Sequence, residues 1–95
     1  MTTWTFITNH GSVLALIAHN TEITAREIAS QLGITERSVH RIISDLESEG
    51  YITRQRSGRV NRYKVNHDLP LRRHYQKETV VGHLLDVLGP RVEAE

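Results

Sequence analysis

Residues 24–50, reading TAREIASQLGITERSVHRIISDLESEG, constrain the fold more than any other part of the chain. Thr24 with Glu27 three residues later forms a capping box, and Ile23 before the cap can close over Ile28 as a hydrophobic staple. Ile28, Ala29 and Leu32 then face one way. Gly33 supplies a residue free to take the left-handed conformation that suits a helix C′ position. The device repeats: Thr35 caps a second segment, Ile34 can staple to Val39, and Val39, Ile42, Ile43 and Leu46 follow the i, i+3, i+4, i+7 stripe before Gly50 ends it. The reading is two short amphipathic helices joined by a tight turn at Gly33.

The flanks extend this unit. Residues about 9–19 predict a first helix with an apolar stripe of Val13, Leu14, Leu16 and Ile17, capped by Thr8 or Asn9. Glu22-Ile23 is expected to pair briefly as a short strand. After Gly50, Tyr51–Arg56 and Arg62–Asn66 alternate as strands do, with Ile52, Tyr63 and Val65 inward and Ser57–Asn61 as a hairpin loop. His67-Asp68-Leu69-Pro70 reads as a turn. A final helix is expected over about 76–88, where Val80, Val81, Leu84, Leu85, Val87 and Leu88 crowd its length until Gly89-Pro90 stops it. The expected class is α+β, mostly α: a three-helix core over about 10–66, a β-hairpin wing and an additional C-terminal helix, in one domain spanning 1–95.

Composition narrows the functional classes. No run approaches the roughly 18 apolar residues of a membrane span, and the first residues, MTTWTFI, lack the basic and long apolar regions of a signal peptide. Zero cysteines leave no disulfide and no thiolate metal site, in keeping with a reducing cytoplasm, the expected location. Glu36/His40 and His74/Glu78 have i, i+4 spacing, but no HExxH or cysteine pair accompanies them, so no metal is expected. Gly-rich phosphate loops, nucleophile elbows and paired carboxylates are missing, so neither catalysis nor a cofactor is expected.

The net charge of +1 conceals a segregation. Five cations (Arg54, Arg56, Arg59, Arg62, Lys64) stand between residues 54 and 64 with no acid among them, and such a patch sets the field that a phosphate backbone meets. At 100° per residue, the face of the third helix opposite its apolar stripe carries Arg37, Arg41, Ser44 and Ser48, flanked by Ser38, His40 and Asp45. This is the arrangement of a helix-turn-helix, whose second helix fits the major groove of double-stranded DNA. Glu36, Arg37, Ser38, His40 and Arg41 are the candidate base-reading residues. Thr24, Thr35, Arg56, Arg59, Asn61 and Arg62 are the candidates for phosphate and wing contacts. The competing reading makes Arg41 an (i, i+4) partner of Asp45, or Arg37 a partner of Glu36.

The pattern Ile28-Ala29-x-x-Leu32-Gly33-Ile34-Thr35-x-x-Ser38-Val39-x-Arg41-Ile42-Ile43-x-x-Leu46, then Gly50-Tyr51-Ile52 and Gly58-Arg59-Val60-Asn61-Arg62-Tyr63-Lys64-Val65-Asn66, resembles winged helix-turn-helix regulators of the multiple-antibiotic-resistance (MarR-like) kind, with the arsenic-repressor (ArsR-like) group a cousin. The resemblance covers about residues 10–66. It implies a transcriptional regulator in which Arg37, Ser38 and Arg41 fall where such proteins read bases and Arg59 falls at the wing tip. Full MarR-like proteins carry longer helices outside the winged domain, and metal-sensing ArsR-like proteins use cysteines; no effector ligand follows from this sequence.

A single winged domain contacts one half-site, and two copies spaced by about 34–36 Å are the usual remedy. The apolar stripe of Val80, Val81, Leu84, Leu85 and Leu88 is the expected homodimer surface, with Trp4, Phe6 and Ile7 covering or joining it. Two alternatives from other classes remain: a winged-helix adaptor that binds protein without reading DNA, and the winged portion of an enzyme, for which the chain is too short to hold a catalytic domain.

Overall fold

Four helices and one hairpin make up the computed structural model, which describes residues 6–70 and 80–88. Helix α1 is Asn9–His19, α2 is Ala25–Leu32, α3 is Glu36–Ser48, strands β1 and β2 are Ile52–Ser57 and Val60–Val65, and α4 is Val81–Leu88. The expected three-helix core, hairpin and extra helix are all present. No helix among the described residues is long and apolar enough to cross a membrane.

The helix starts follow the capping chemistry. Thr8 caps α1, its hydroxyl accepting from the Gly11 amide. At α2 the Thr24 hydroxyl accepts from the Glu27 amide while the Glu27 carboxylate accepts from the Thr24 amide, a complete capping box. Thr35 caps α3 by accepting from the Ser38 amide at 3.0 Å. The ends depend on glycine. Gly33 has φ +70° and Gly50 φ +84°, values at which a Cβ is strained. Past α3 the Tyr51 amide reaches the Leu46 carbonyl at 2.9 Å and the Gly50 amide reaches Glu47 at 3.1 Å, the paired bonds of a Schellman ending.

The core gathers one stripe from every helix: Val13, Leu14 and Ile17 of α1, Ile28 and Ala29 of α2, Val39, Ile42, Ile43 and Leu46 of α3. Ile23 is buried beside them, as the expected staple requires, and Ile52 and Tyr63 close the core from the hairpin, with Val65 partly buried. The strands pair antiparallel from Ile52↔Val65 to Ser57↔Val60, leaving Gly58-Arg59 as a two-residue turn, shorter than the five-residue loop expected. Gly58 at φ +62° explains the difference, because a positive φ at the first central position is what a tight hairpin turn needs. Glu22-Ile23 forms no strand: the Asn20 carbonyl accepts from the Ile23 amide, and the backbone link to the wing is the Thr21 carbonyl accepting from the Tyr63 amide at 2.9 Å.

The last helix departs from expectation. Val80, placed inside it by pattern, instead forms an antiparallel bridge with Pro70. The opening amides of α4 are taken by carbonyls of the preceding turn, Val81 to Leu69 at 2.7 Å and Gly82 to His67 at 2.8 Å, so the helix starts against that turn. Val81 and Leu85, expected on a pairing surface, are buried in the chain's own core, where α4 meets α1. Leu84 and Leu88 are half-buried and Val87 is 76% exposed. Trp4, residues 76–79 (including Glu78), His74 and Gly89-Pro90 lie outside the described residues.

Two substitutions test these endings. Gly50→Ala places a Cβ in the left-handed region and is expected to destabilise the domain by about 1–2 kcal/mol. Thr35→Ala removes a cap and is expected to cost about 1 kcal/mol. In thermal denaturation both should lower Tm by several degrees, since ~1 kcal/mol moves Tm by roughly 4–8 °C at this size. Ser48→Ala, on the solvent face of α3, should leave Tm nearly unmoved; equal Tm values for all three would refute the assignment of these caps.

Candidate nucleic-acid interface

Burial of Val39, Ile42, Ile43 and Leu46 turns the other side of α3 outward. Glu36, Arg37, Ser38, His40, Arg41, Ser44 and Ser48 are all exposed. Thr35 and Ser38 are joined at the helix start, where the Thr35 hydroxyl donates to the Ser38 hydroxyl oxygen at 3.0 Å. Asp45 settles the competition for Arg41. Its carboxylate lies 2.8 Å from Nε2 of His10 on α1, and among the described residues neither Arg37 nor Arg41 has an acid partner.

A groove of about 410 Å³ runs between the start of α2, the start of α3 and the wing. It gathers five of the sequence-predicted residues: Thr24, Glu36, His40, Arg59 and Asn61. Arg37, Ser38 and Arg41 lie outside its lining, on the same helix. Thr24 is less available than expected, because its hydroxyl already donates to the Glu27 carboxylate at 3.1 Å as well as capping α2. The Thr35 proton is committed in the same way to Ser38.

The basic segment is divided in space. Strand alternation puts Arg54 and Arg56 on the face of Ile52 and Tyr63, and puts Arg62 and Lys64 on the opposite face, while Arg59 stands at the turn. Arg54 donates to Glu47 of α3 at 2.9 Å, and Arg62 is ion-paired with Glu22 of the α1–α2 turn. Arg56 donates through Nε to the Gly58 carbonyl at 3.1 Å and so braces the turn. The acid-free run in the sequence is thus partly neutralised by carboxylates from outside it. Among the described residues, Arg26, Arg37, Arg41, Arg59 and Lys64 are the arginines and lysines left without a hydrogen bond or ion pair.

Arg26 and Glu22 were not singled out from the sequence. Arg26 lines the groove together with Arg59, and its signal was its place in the opening turn of α2, two residues after the cap. Glu22 carries no local signal, because its partner stands 40 residues away. Glu36 and His40 share the groove wall, but among the described residues no group of three or more His, Asp or Glu side chains is placed to hold a metal.

Comparison with known proteins agrees with this geometry. A segment of 66 residues, 68% of the chain, is 32% identical to an uncharacterised protein of Methanocaldococcus jannaschii, of which it covers 14%. A segment of 47 residues, half of the chain, is 38% identical to the HTH-type transcriptional regulator KipR of Bacillus subtilis, of which it covers 19%. The chain therefore matches less than a fifth of the length of either relative. Residues 5–62, which hold α1 to α3 and most of the hairpin, match the profile of the MarR family. With well over half of its residues inside that match, the chain belongs to the MarR family.

Proposed function

We propose that the chain is a sequence-specific transcriptional regulator that binds double-stranded DNA, with α3 in the major groove and the wing on the backbone or in the minor groove beside it. One observation carries the reading: Arg37 and Arg41 stand one turn apart on the exposed side of α3, with no acid partner among the described residues, even though Asp45 lies one turn beyond Arg41. Arginines held by neighbouring carboxylates would lose both charge and donors to them. Unpartnered ones keep the fork that pairs bidentately with guanine O6 and N7. Glu36, Ser38 and His40 flank these two as further base-reading groups, and Arg59 with Asn61 is set to meet phosphate from the wing. No catalytic step is assigned to the chain, and the reading places it in the cytoplasm.

The regulator acts as a homodimer in this proposal, since one recognition helix reads only one half-site. Because Val81 and Leu85 already serve the chain's own core, the pairing surface on α4 reduces to Leu84, Val87 and Leu88. Light scattering at micromolar concentration is expected to give twice the chain mass, and the mass of a single chain would remove this part.

Selection of bound duplexes from a random pool, followed by titration of the winner across salt concentrations, tests the main reading. Affinity should fall with salt by about 0.9 log unit per tenfold for each phosphate neutralised. Arg59→Ala should weaken selected and scrambled duplexes alike. Arg37→Ala should cost about 1–3 kcal/mol on the selected site and relax preference at particular bases. Equal losses on both duplexes for Arg37→Ala would deny base reading by that residue. If no duplex binds even in dilute buffer, the adaptor reading replaces this one.

A further inference from the structure

The wing meets the body of the protein at the α1–α2 turn through two adjacent contacts. The Thr21 carbonyl accepts from the Tyr63 amide, and the Glu22 carboxylate pairs with Arg62, the neighbouring residue on β2. The turn that presents Glu22 is itself closed. The Asn20 side chain accepts from the Glu22 amide at 3.1 Å and the Asn20 carbonyl accepts from the Ile23 amide at 3.0 Å, with Ile23 buried behind. Glu22 is thus held in place by backbone chemistry. It also lines the groove shared by Arg26, His40, Arg59 and Asn61, the surface on which the proposed duplex would lie.

From this placement we infer that Glu22 limits the strength of DNA binding: it withdraws Arg62 from the phosphates and keeps a negative charge beside them. The inference rests on the duplex-binding reading above. The side chains of Arg62 and Glu22 are 64% and 47% exposed, and ion pairs this open contribute little to folding. The wing does not depend on the pair, because buried Tyr63 and Ile52 and the Thr21–Tyr63 hydrogen bond hold it. The consequence of the pair is therefore electrostatic. A pair of zero net charge gives the duplex one phosphate contact fewer than the sequence of the wing promises. Phosphate contacts carry no sequence information, so Glu22 acts on every duplex alike and leaves base reading to α3.

A four-member set of full-length chains tests this: wild type, Glu22→Gln, Arg62→Ala and the double variant. Each is titrated with one selected and one scrambled duplex between 50 and 200 mM salt. Glu22→Gln is expected to bind both duplexes several-fold more tightly at 50 mM, with a salt slope steeper by about 0.9, so that its advantage shrinks about 3.5-fold across that range. Arg62→Ala should change the slope by about 0.9 in the Glu22→Gln background and by much less in the wild-type background. Equal slope changes in both backgrounds would show Arg62 already on a phosphate and overturn the inference. Weaker binding by Glu22→Gln at unchanged slope would overturn it too, by reducing Glu22 to a support for the wing. Elution from immobilised heparin keeps the two readings separable. If wild type binds no duplex, the regulator reading fails, yet later elution of Glu22→Gln than wild type still supports the masking of Arg62. Identical elution of the two would end it.

Discussion

Everything on the outer surface of α3 is placed by what its inner surface buries. Val39, Ile42, Ile43 and Leu46 are each at most 7% exposed, and together they release roughly 6–12 kcal/mol of gross transfer free energy. The polar contacts on the same helix, such as His10 with Asp45, are exposed and contribute about 0–1 kcal/mol each. Apolar burial therefore fixes the rotation of the helix about its axis. A helix with one stripe committed has no freedom in choosing what it shows to solvent, and at 100° per residue it shows Arg37 and Arg41. The α2–α3 pair keeps its angle for a related reason: Gly33 reverses the chain in the left-handed region, and Ile28 and Val39 are both fully buried on either side of that turn.

The wing has a different kind of order. Its base is tied to the core by Ile52 and Tyr63, and its outer length is exposed, with turn and cations beyond reach of any apolar support. Charge pairing becomes the deciding influence there. Three of the five wing cations are engaged: Arg54 by a carboxylate of α3, Arg62 by the α1–α2 turn, and Arg56 by the carbonyl of its own turn. Arg59 and Lys64 remain. The electrostatic surface offered to a polyanion is accordingly smaller and more directional than the bare count of basic residues suggests. It comprises Arg26 and Arg59, which line the groove, Arg37 and Arg41 on the exposed side of α3, and Lys64 on β2.

Local rules made most of the fold readable. The starts of α1, α2 and α3, the glycine endings at Gly33 and Gly50, and the inward residues Ile52 and Tyr63 all follow from interactions between residues at most seven apart, or from strict alternation. The two-residue turn at Gly58-Arg59 is also encoded locally, in the positive-φ preference of glycine. What escaped was long-range. The Pro70–Val80 bridge, the burial of Val81 and Leu85 against α1, and the Thr21–Tyr63 hydrogen bond join segments that no periodicity relates. The exposed face of α3 was legible for the same reason as the core, since it is the complement of the buried one. The wing was legible as a basic hairpin but not as a divided one, because Glu22 and Glu47 reach Arg62 and Arg54 only once the chain has folded.

This difference between helix and wing bears on how specificity and strength are apportioned. In the proposed complex, base contacts from Arg37 and Arg41 would need geometry, which the buried stripe of α3 supplies at a cost the core has already met. Phosphate contacts need only charge at approximate distance, which an exposed hairpin supplies well and an exposed carboxylate can remove without disturbing the fold. A change at Ile42 or Ile43 would alter the core and the exposed face of α3 together, whereas a change at the exposed Glu22–Arg62 pair is expected to act mainly on the field. On the proposed reading, selectivity and overall affinity for a duplex would be carried by side chains far enough apart to act nearly independently, so that each could vary without rebuilding the other.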